Sequence, residues 1–291
     1  MENSIELRDL SKRFGGKTAL DGLTMRMEGG VFGLLGRKSA GKSTLLRILA
    51  TLLRADAGEA LVCGVPVKRA GAVRAVTGYL PEDFSIYGNM RMREAMDYLG
   101  ALSGLDTRTR QARTAQLLER VGLEGEMDAR VRKLSGGMLR RLGVAQALMH
   151  DPCVLLMDEP TAGLAPEERG CLRGLLAETA VDRLVVLASE TVDDVAAICE
   201  RVAILECGRL RYLGTAKELV RRAEGKVFLA ELPEGALAEF KRRYQVVSVV
   251  EHGERCVARF LDPEGAPGLG RADRPGLKDA YLLCAGGGEA A

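Results

Sequence analysis

The chain has 291 residues, 47% apolar and 28% charged, enough for one large domain or for one domain plus an appendage, with a full core to bury. Forty-two basic residues against 40 acidic ones leave a formal charge of +2, which argues against a dedicated nucleic-acid binder and predicts no nucleic-acid partner. Seven cysteines without CxxC spacing and only two histidines argue against a zinc site and suit reduced thiols.

The first residues lack a basic start followed by an apolar run, so no signal peptide is expected. No stretch approaches the roughly 20 consecutive apolar residues that span a bilayer. A membrane process served by this chain would need another chain for its membrane part.

In chain order, strands are expected at 5–10, 19–27 and 31–35, the last running into a glycine-rich loop at 36–44 and a helix over about 42–53. A turn at 56–58 leads to strands at 60–67 and 75–80. From about 82 to 149 the pattern turns helical, with apolar periodicity over 91–102, 107–121 and 137–149. Strands return at 153–157 and 183–188 around a helix at 166–179. The alternation predicts an α/β fold with a mainly parallel sheet and an inserted helical block. The doublets Arg140–Arg141 and Arg221–Arg222 read as solvated helix faces.

Beyond 224 the texture changes. Strands at 227–232, 245–251 and 255–261, a helix at 235–244, turns at 265–270 and 274–276 and a closing helix at 277–283 make a small α+β appendage. The end, 286–291, reads as frayed. The expected domains are therefore 1–223, with its helical subdomain at about 82–149, and 224–291.

Gly36, Arg37, Lys38, Ser39, Ala40, Gly41, Lys42, Ser43 and Thr44 fit the phosphate-loop pattern G-x-x-x-x-G-K-[ST]. The strand before it and the helix after it supply the context that the chemistry needs. Glycines let backbone N–H groups wrap phosphates, and the helix N-terminus adds partial positive charge. Lys42 is expected on the β- and γ-phosphates, Ser43 on Mg²⁺ and Thr44 near the phosphates. The apolar strand at 154–157 ends in Asp158 and Glu159. Asp158 would hold Mg²⁺ and Glu159 would polarise the attacking water.

Leu134, Ser135, Gly136, Gly137 and Met138 open a helix between these two motifs. In that position the sequence resembles the ATP-binding subunits of ABC transporters, whose signature is usually LSGGQ, with Met138 where Gln is commonest. The resemblance covers about residues 3–222 and implies a P-loop NTPase core that uses ATP and Mg²⁺. It places Phe14 where an aromatic ring stacks on adenine, and Glu82 at the usual Gln of the Q-loop, where it would serve catalysis and the metal. It also implies a head-to-tail partner cassette, whose ATP would meet residues 134–138 of this chain, and a transmembrane permease subunit. The location implied is cytoplasmic, peripheral on the inner face of the membrane, with Tyr87 and Met90 as docking candidates. The wording at 78–83 and the tail resemble ABC-2-type exporters, and the tail is expected to support dimerisation.

Two positions depart from the family pattern. Glu190 stands where a histidine usually contacts the γ-phosphate, and Ala165 where an aspartate usually contacts the opposing protomer. Both predict impaired hydrolysis in the chain's own site. They leave open a regulatory or immunity subunit that binds ATP as a switch.

Overall fold

The computed structural model describes residues 2–233, 235–253, 255–265 and 270–285; the expectation for 286–291 and most of the 265–270 turn lie outside them. The chain divides into two compact units between Leu213 and Gly214.

The first unit begins with β1 (Ser4–Phe14), β2 (Lys17–Glu28) and β3 (Gly30–Leu35), followed by α1 (Lys42–Leu49). Next come β4 (Ala57–Val62), β5 (Val65–Pro66), α2 (Ala70–Val76) and β6 (Thr77–Leu80). The helical segment contains α3 (Met92–Leu102), α4 (Thr107–Arg120) and α5 (Gly136–Ala147). It is followed by β7 (Val154–Asp158), α6 (Pro166–Thr179), β8 (Leu184–Ser189), α7 (Val192–Ile198), β9 (Arg201–Glu206) and β10 (Arg209–Thr215).

Two sheets result, with orders β2-β1-β4-β5 and β10-β9-β3-β8-β7-β6. The first is antiparallel. In the second, β9, β3, β8, β7 and β6 run parallel. Every residue of β7 and β8 is buried, as a parallel sheet covered on both faces requires. The α1 side chains Leu45, Leu46, Ile48 and Leu49 share one core cluster with Ile5, Leu7 and Leu20 of the antiparallel sheet and with Phe32, Val154 and Val186 of the parallel one. Helix α1 is thus packed by both sheets, which fixes the loop before it.

The sequence pattern misassigned three places. The turn expected at 56–58 is mostly strand, since β4 begins at Ala57, which pairs with Ser11 of β1. The strand expected at 60–67 is a hairpin, with Val62 opposite Val65 across Cys63 and Gly64. Both turn residues have positive φ, 49° and 76°, the geometry that matches strand twist in a two-residue connection. The strand expected at 75–80 begins at Thr77, because Ala75 and Val76 finish α2, which buries Val73.

The second unit holds α8 (Ala216–Arg221), β11 (Val227–Pro233), α9 (Leu237–Arg243), β12 (Gln245–His252), β13 (Arg255–Leu261), β14 (Arg271–Ala272) and α10 (Leu277–Ala285). Its antiparallel sheet has the order β12-β13-β11-β14, and β14 was not anticipated. Phe260, fully buried, packs edge-on to Phe240 with ring centroids 4.9 Å apart and lies 4.9 Å from Tyr244. Arg259 donates to Asp279 at 2.7 Å and to Asp273, tying β13 to α10.

Close approach of α5 to β6 sets how that helix sits on the parallel sheet. A Cβ at Gly78 would lie 2.0 Å from the Ala147 carbonyl, whereas one at Gly71 in α2 would meet nothing within 4 Å. We expect Gly78→Ala to cost about 1–3 kcal/mol, read as a lower urea midpoint. Gly71→Ala should be neutral or stabilising, by up to about 1 kcal/mol. Equal midpoints for the two variants would contradict this packing.

Candidate functional site

Four neighbouring parallel strands, in the order β3-β8-β7-β6, end at the same edge of the sheet. The phosphate-loop segment follows β3 and Glu190 follows β8, while β7 ends in Asp158 before Glu159, and Glu82 lies just past β6. Residues far apart in sequence meet there because the strands that carry them are hydrogen-bonded neighbours, at the edge where open α/β sheets usually hold ligands.

A cleft of about 520 Å³ opens there. Phe14, residues 38–44, Glu82, Glu159 and Glu190 line it, together with Lys17 and Thr191, which no motif marks out. Phe14 is 50% exposed at the end of β1, with Lys12 Nζ over its ring at 5.4 Å from the centroid. Residues 134–138 are not among the lining residues.

Loop geometry explains the glycines. A Cβ on Gly36 would come within 2.6 Å of the Leu205 carbonyl, and Gly41 has φ 107° with the Ala19 carbonyl 2.6 Å from where its Cβ would stand. Only glycine fits both places. Ser39 also has positive φ, 66°. The Lys42 side chain is 5% exposed and its ammonium donates to the Gly36 carbonyl at 2.7 Å and the Arg37 carbonyl at 3.3 Å. Glu190 Oε1 lies 3.5 Å from Lys42 Nζ and Glu159 Oε1 lies 3.8 Å from it. Glu190 therefore faces into the cleft and does not turn outward.

Asp158 is fully buried and neither of its carboxylate oxygens has a hydrogen-bond partner. Burial pushes its carboxyl above the ordinary value; the nearby Ser43 hydroxyl pulls the other way and Glu82 adds to the rise. A buried, unpartnered carboxylate beside a hydroxyl fits a hard cation. No cluster of three or more His, Cys, Asp or Glu residues suited to a metal occurs among the described residues. A cation there would need oxygens from a bound phosphate as well, which is how Mg²⁺ is usually held.

Glu159 sits in a left-handed conformation, φ 48°, which is costly for a residue with a Cβ and marks a position held by its surroundings. Its backbone N–H donates to the Ala188 carbonyl at 2.9 Å, and its Oε2 accepts from the Ser189 hydroxyl at 3.3 Å. Burial raises its pKa to about 6, against the pull of Lys42.

Ser135 caps α5, its hydroxyl accepting from the Met138 N–H at 3.1 Å. Ser135 and Gly136 are exposed; Gly137 is buried, and a Cβ there would come within 2.6 Å of the Glu168 carboxylate. Ala165 is exposed at the start of α6, where its N–H donates to Glu168 at 3.1 Å.

Arg140 overturns its expected place on a solvated helix face. It is 6% exposed, and its guanidinium donates to the carbonyls of Pro81 and Glu82 at 2.7 Å each, and to those of Asp158, Glu159 and Pro160. The spacing was legible: Gly137, Arg140, Val144 and Ala147 recur every three or four residues along the buried face of α5. Arg221 and Arg222 are exposed as expected.

With this geometry in hand, comparison with known proteins assigns the class. The ABC transporter family model matches residues 20–162. The chain is 33% identical, over 97% of both chains, to a Nod factor export ATP-binding protein I of Burkholderia orbicola. It is 34% identical to the probable multidrug ABC transporter ATP-binding protein YbhF of Escherichia coli, over 97% of this chain and 52% of that one. Among solved structures, cbiO1 of Clostridium perfringens, described as part of the ABC transporter complex cbiONQ, is 26% identical with a TM-score of 0.68, covering 75% of this chain and 91% of its own. The chain belongs to the ABC transporter ATP-binding family and has its ATPase fold, with a C-terminal antiparallel sheet. No helix among the described residues is long and apolar enough to cross a membrane.

The raised pKa of Glu159 makes a stability prediction for the protein in metal-free buffer. A carboxyl shifted from 4.5 to about 6 is penalised only when ionised, so the penalty is absent below about pH 4.5 and complete above about pH 6. A shift of this size corresponds to about 2 kcal/mol. Glu159→Gln should therefore unfold at higher urea than wild type at pH 7.5, and the gap should close by pH 4.5. A gap independent of pH would contradict the burial assigned to this carboxylate.

Proposed function

We propose that this chain is the ATP-binding subunit of an exporter, coupling ATP binding and hydrolysis to substrate movement through a separate transmembrane permease subunit. The observation that carries the reading is the cleft in which the phosphate loop, Lys42, Glu82, Glu159 and Glu190 meet at one sheet edge. Export is supported by the likeness to Nod factor export and multidrug ATP-binding proteins. The chain would work at the cytoplasmic face of the membrane, peripheral to its permease.

In this reading Phe14 stacks on adenine while the N–H groups of 36–44 and Lys42 hold the phosphates. Ser43, Asp158 and Glu82 would hold Mg²⁺, which supplies charge neutralisation between β- and γ-phosphates when bound. Glu159 orients and polarises the attacking water. Its pKa near 6 leaves it ionised at neutral pH yet basic enough to take a proton. Ser135, Gly136 and Gly137, exposed or at a helix start away from the cleft, are offered to the ATP of a second cassette.

We further propose that hydrolysis in this chain's own site is slow. A carboxylate 3.5 Å from Lys42 Nζ competes with the γ-phosphate for the same ammonium. Two like charges about 4 Å apart repel by roughly 4 kcal/mol at an effective dielectric of about 20, and by about 1 kcal/mol in bulk water. Glu190 is 47% exposed, so the cost falls between these limits. That corresponds to a rate loss of about fivefold to a thousandfold if it is borne by the transition state. Ala165 adds the loss of a carboxylate toward the opposing protomer. The same two residues also suit an ATP-binding switch with little turnover.

Steady-state ATPase of the purified protein tests this. We expect wild type to turn over well below about 1 s⁻¹ and the double variant Glu190→His, Ala165→Asp to be at least about tenfold faster. Wild-type turnover at or above about 1 s⁻¹ would overturn the slow-site reading, leaving ATP binding untouched.

A further inference from the structure

Arg140 is a buried charged side chain that the roles above leave unused, and its hydrogen bonds go to the turns of the site that carry acids. It donates to Pro81 and Glu82 in the turn after β6, and to Asp158, Glu159 and Pro160 in the turn after β7. None of these five acceptors belongs to residues 36–44. The guanidinium is planar, with five N–H donors in a fixed fork, so it sets the separation of the groups it bridges in a way a flexible ammonium cannot. It also brings a permanent positive charge close to Glu82, Asp158 and Glu159, whose mutual repulsion would otherwise spread the two turns.

We infer that Arg140 is a positioning residue for the metal-binding edge of the site, holding Glu82 and Asp158 at the spacing at which both face one cation. Space filling alone does not explain it. The neighbouring contact of α5 with β6 is already made by apolar groups, a Cβ on Gly143 falling 2.5 Å from Leu80 Cδ1. An apolar side chain at 140 would leave the carbonyls of both turns without these donors. Arg140 also lies in the helix that Ser135 caps, so the signature segment and the carboxylate turns share one rigid connection. A shift of α5 is transmitted to the backbone of Glu82 and of Asp158 together.

The proposal rests on the assignment of Mg²⁺ to Ser43, Glu82 and Asp158, and its test separates the two. Mn²⁺ is the probe, with free Mn²⁺ followed by electron paramagnetic resonance as it binds the ATP-loaded protein, and ATP affinity is measured separately in EDTA. We expect Arg140→Gln to weaken Mn²⁺ binding by about 10- to 100-fold, the usual effect of losing a group that orients metal ligands. ATP affinity in EDTA should stay within about twofold, because Arg140 donates only to backbone carbonyls of the turns at 81–82 and 158–160 and to none in residues 36–44. Arg140→Lys, which keeps the charge but not the fork, should fall between wild type and Arg140→Gln, and it decides the matter alone if the glutamine variant does not fold. Wild-type Mn²⁺ affinity in these variants, or equal losses of ATP and Mn²⁺ affinity, would overturn the positioning role. If Asp158→Asn also leaves Mn²⁺ affinity unchanged, the metal assignment itself fails and the proposal with it.

Discussion

The ammonium of Lys42 is the constraint around which the first unit is arranged. A lysine 5% exposed must find partners for a strongly hydrated charge, and here they are the Gly36 and Arg37 carbonyls of its own loop. That return contact requires the loop to curl tightly, and the curl leaves no room for a Cβ at Gly36 or Gly41. Helix α1 carries Lys42 at its start and is gripped by core residues of both sheets, so the charge stays fixed relative to the strand ends. Opposite it, β7 and β8 bring in Glu159 and Glu190. A triphosphate binding here enters a field already shared between one cation and two carboxylates.

The carboxylates differ in environment, and this divides their chemistry. Asp158, fully buried without a hydrogen-bond partner, has the environment that suits the metal-ligand role we propose for it. Glu159, strained in its backbone, accepts from Ser189, which suits the water-polarising role we propose for it. Glu190, half-exposed, has no counterpart role and adds only negative charge beside Lys42. Arg140 closes the arrangement from behind by taking up the carbonyls of the turns that carry the acids. Ionised groups this close persist because each is paired or faces the site where charge will be neutralised.

Much of this was legible in the residues. The phosphate loop, the Asp158–Glu159 strand end and the helix opened by Ser135 follow from local rules of spacing and capping, and all sit on the elements expected for them. Other features were hidden because they depend on what lies across the sheet. Glu190 was legible at the γ-phosphate position only through the family resemblance; its approach to Lys42 follows from β8 lying beside β3, which no local pattern announces. Arg140 looked solvated as one of a basic pair, although its place among Gly137, Val144 and Ala147 marked the buried face of α5. The β4–β5 hairpin was missed because its Cys63–Gly64 turn lacks the usual Asn or Asp, and both positions nonetheless take positive φ. The strand β14 escaped because two residues carry no periodicity.

The central claim is that ATP is held at residues 36–44 and that Glu190 contests its γ-phosphate. The most direct measurement compares equilibrium affinities for ATP and ADP in wild type and in Glu190→Gln. Removing the carboxylate's charge should raise ATP affinity by about tenfold, equivalent to about 1.4 kcal/mol, while ADP affinity, which involves no γ-phosphate, changes little. An unchanged ratio of ATP to ADP affinity would contradict the claim that Glu190 opposes the γ-phosphate.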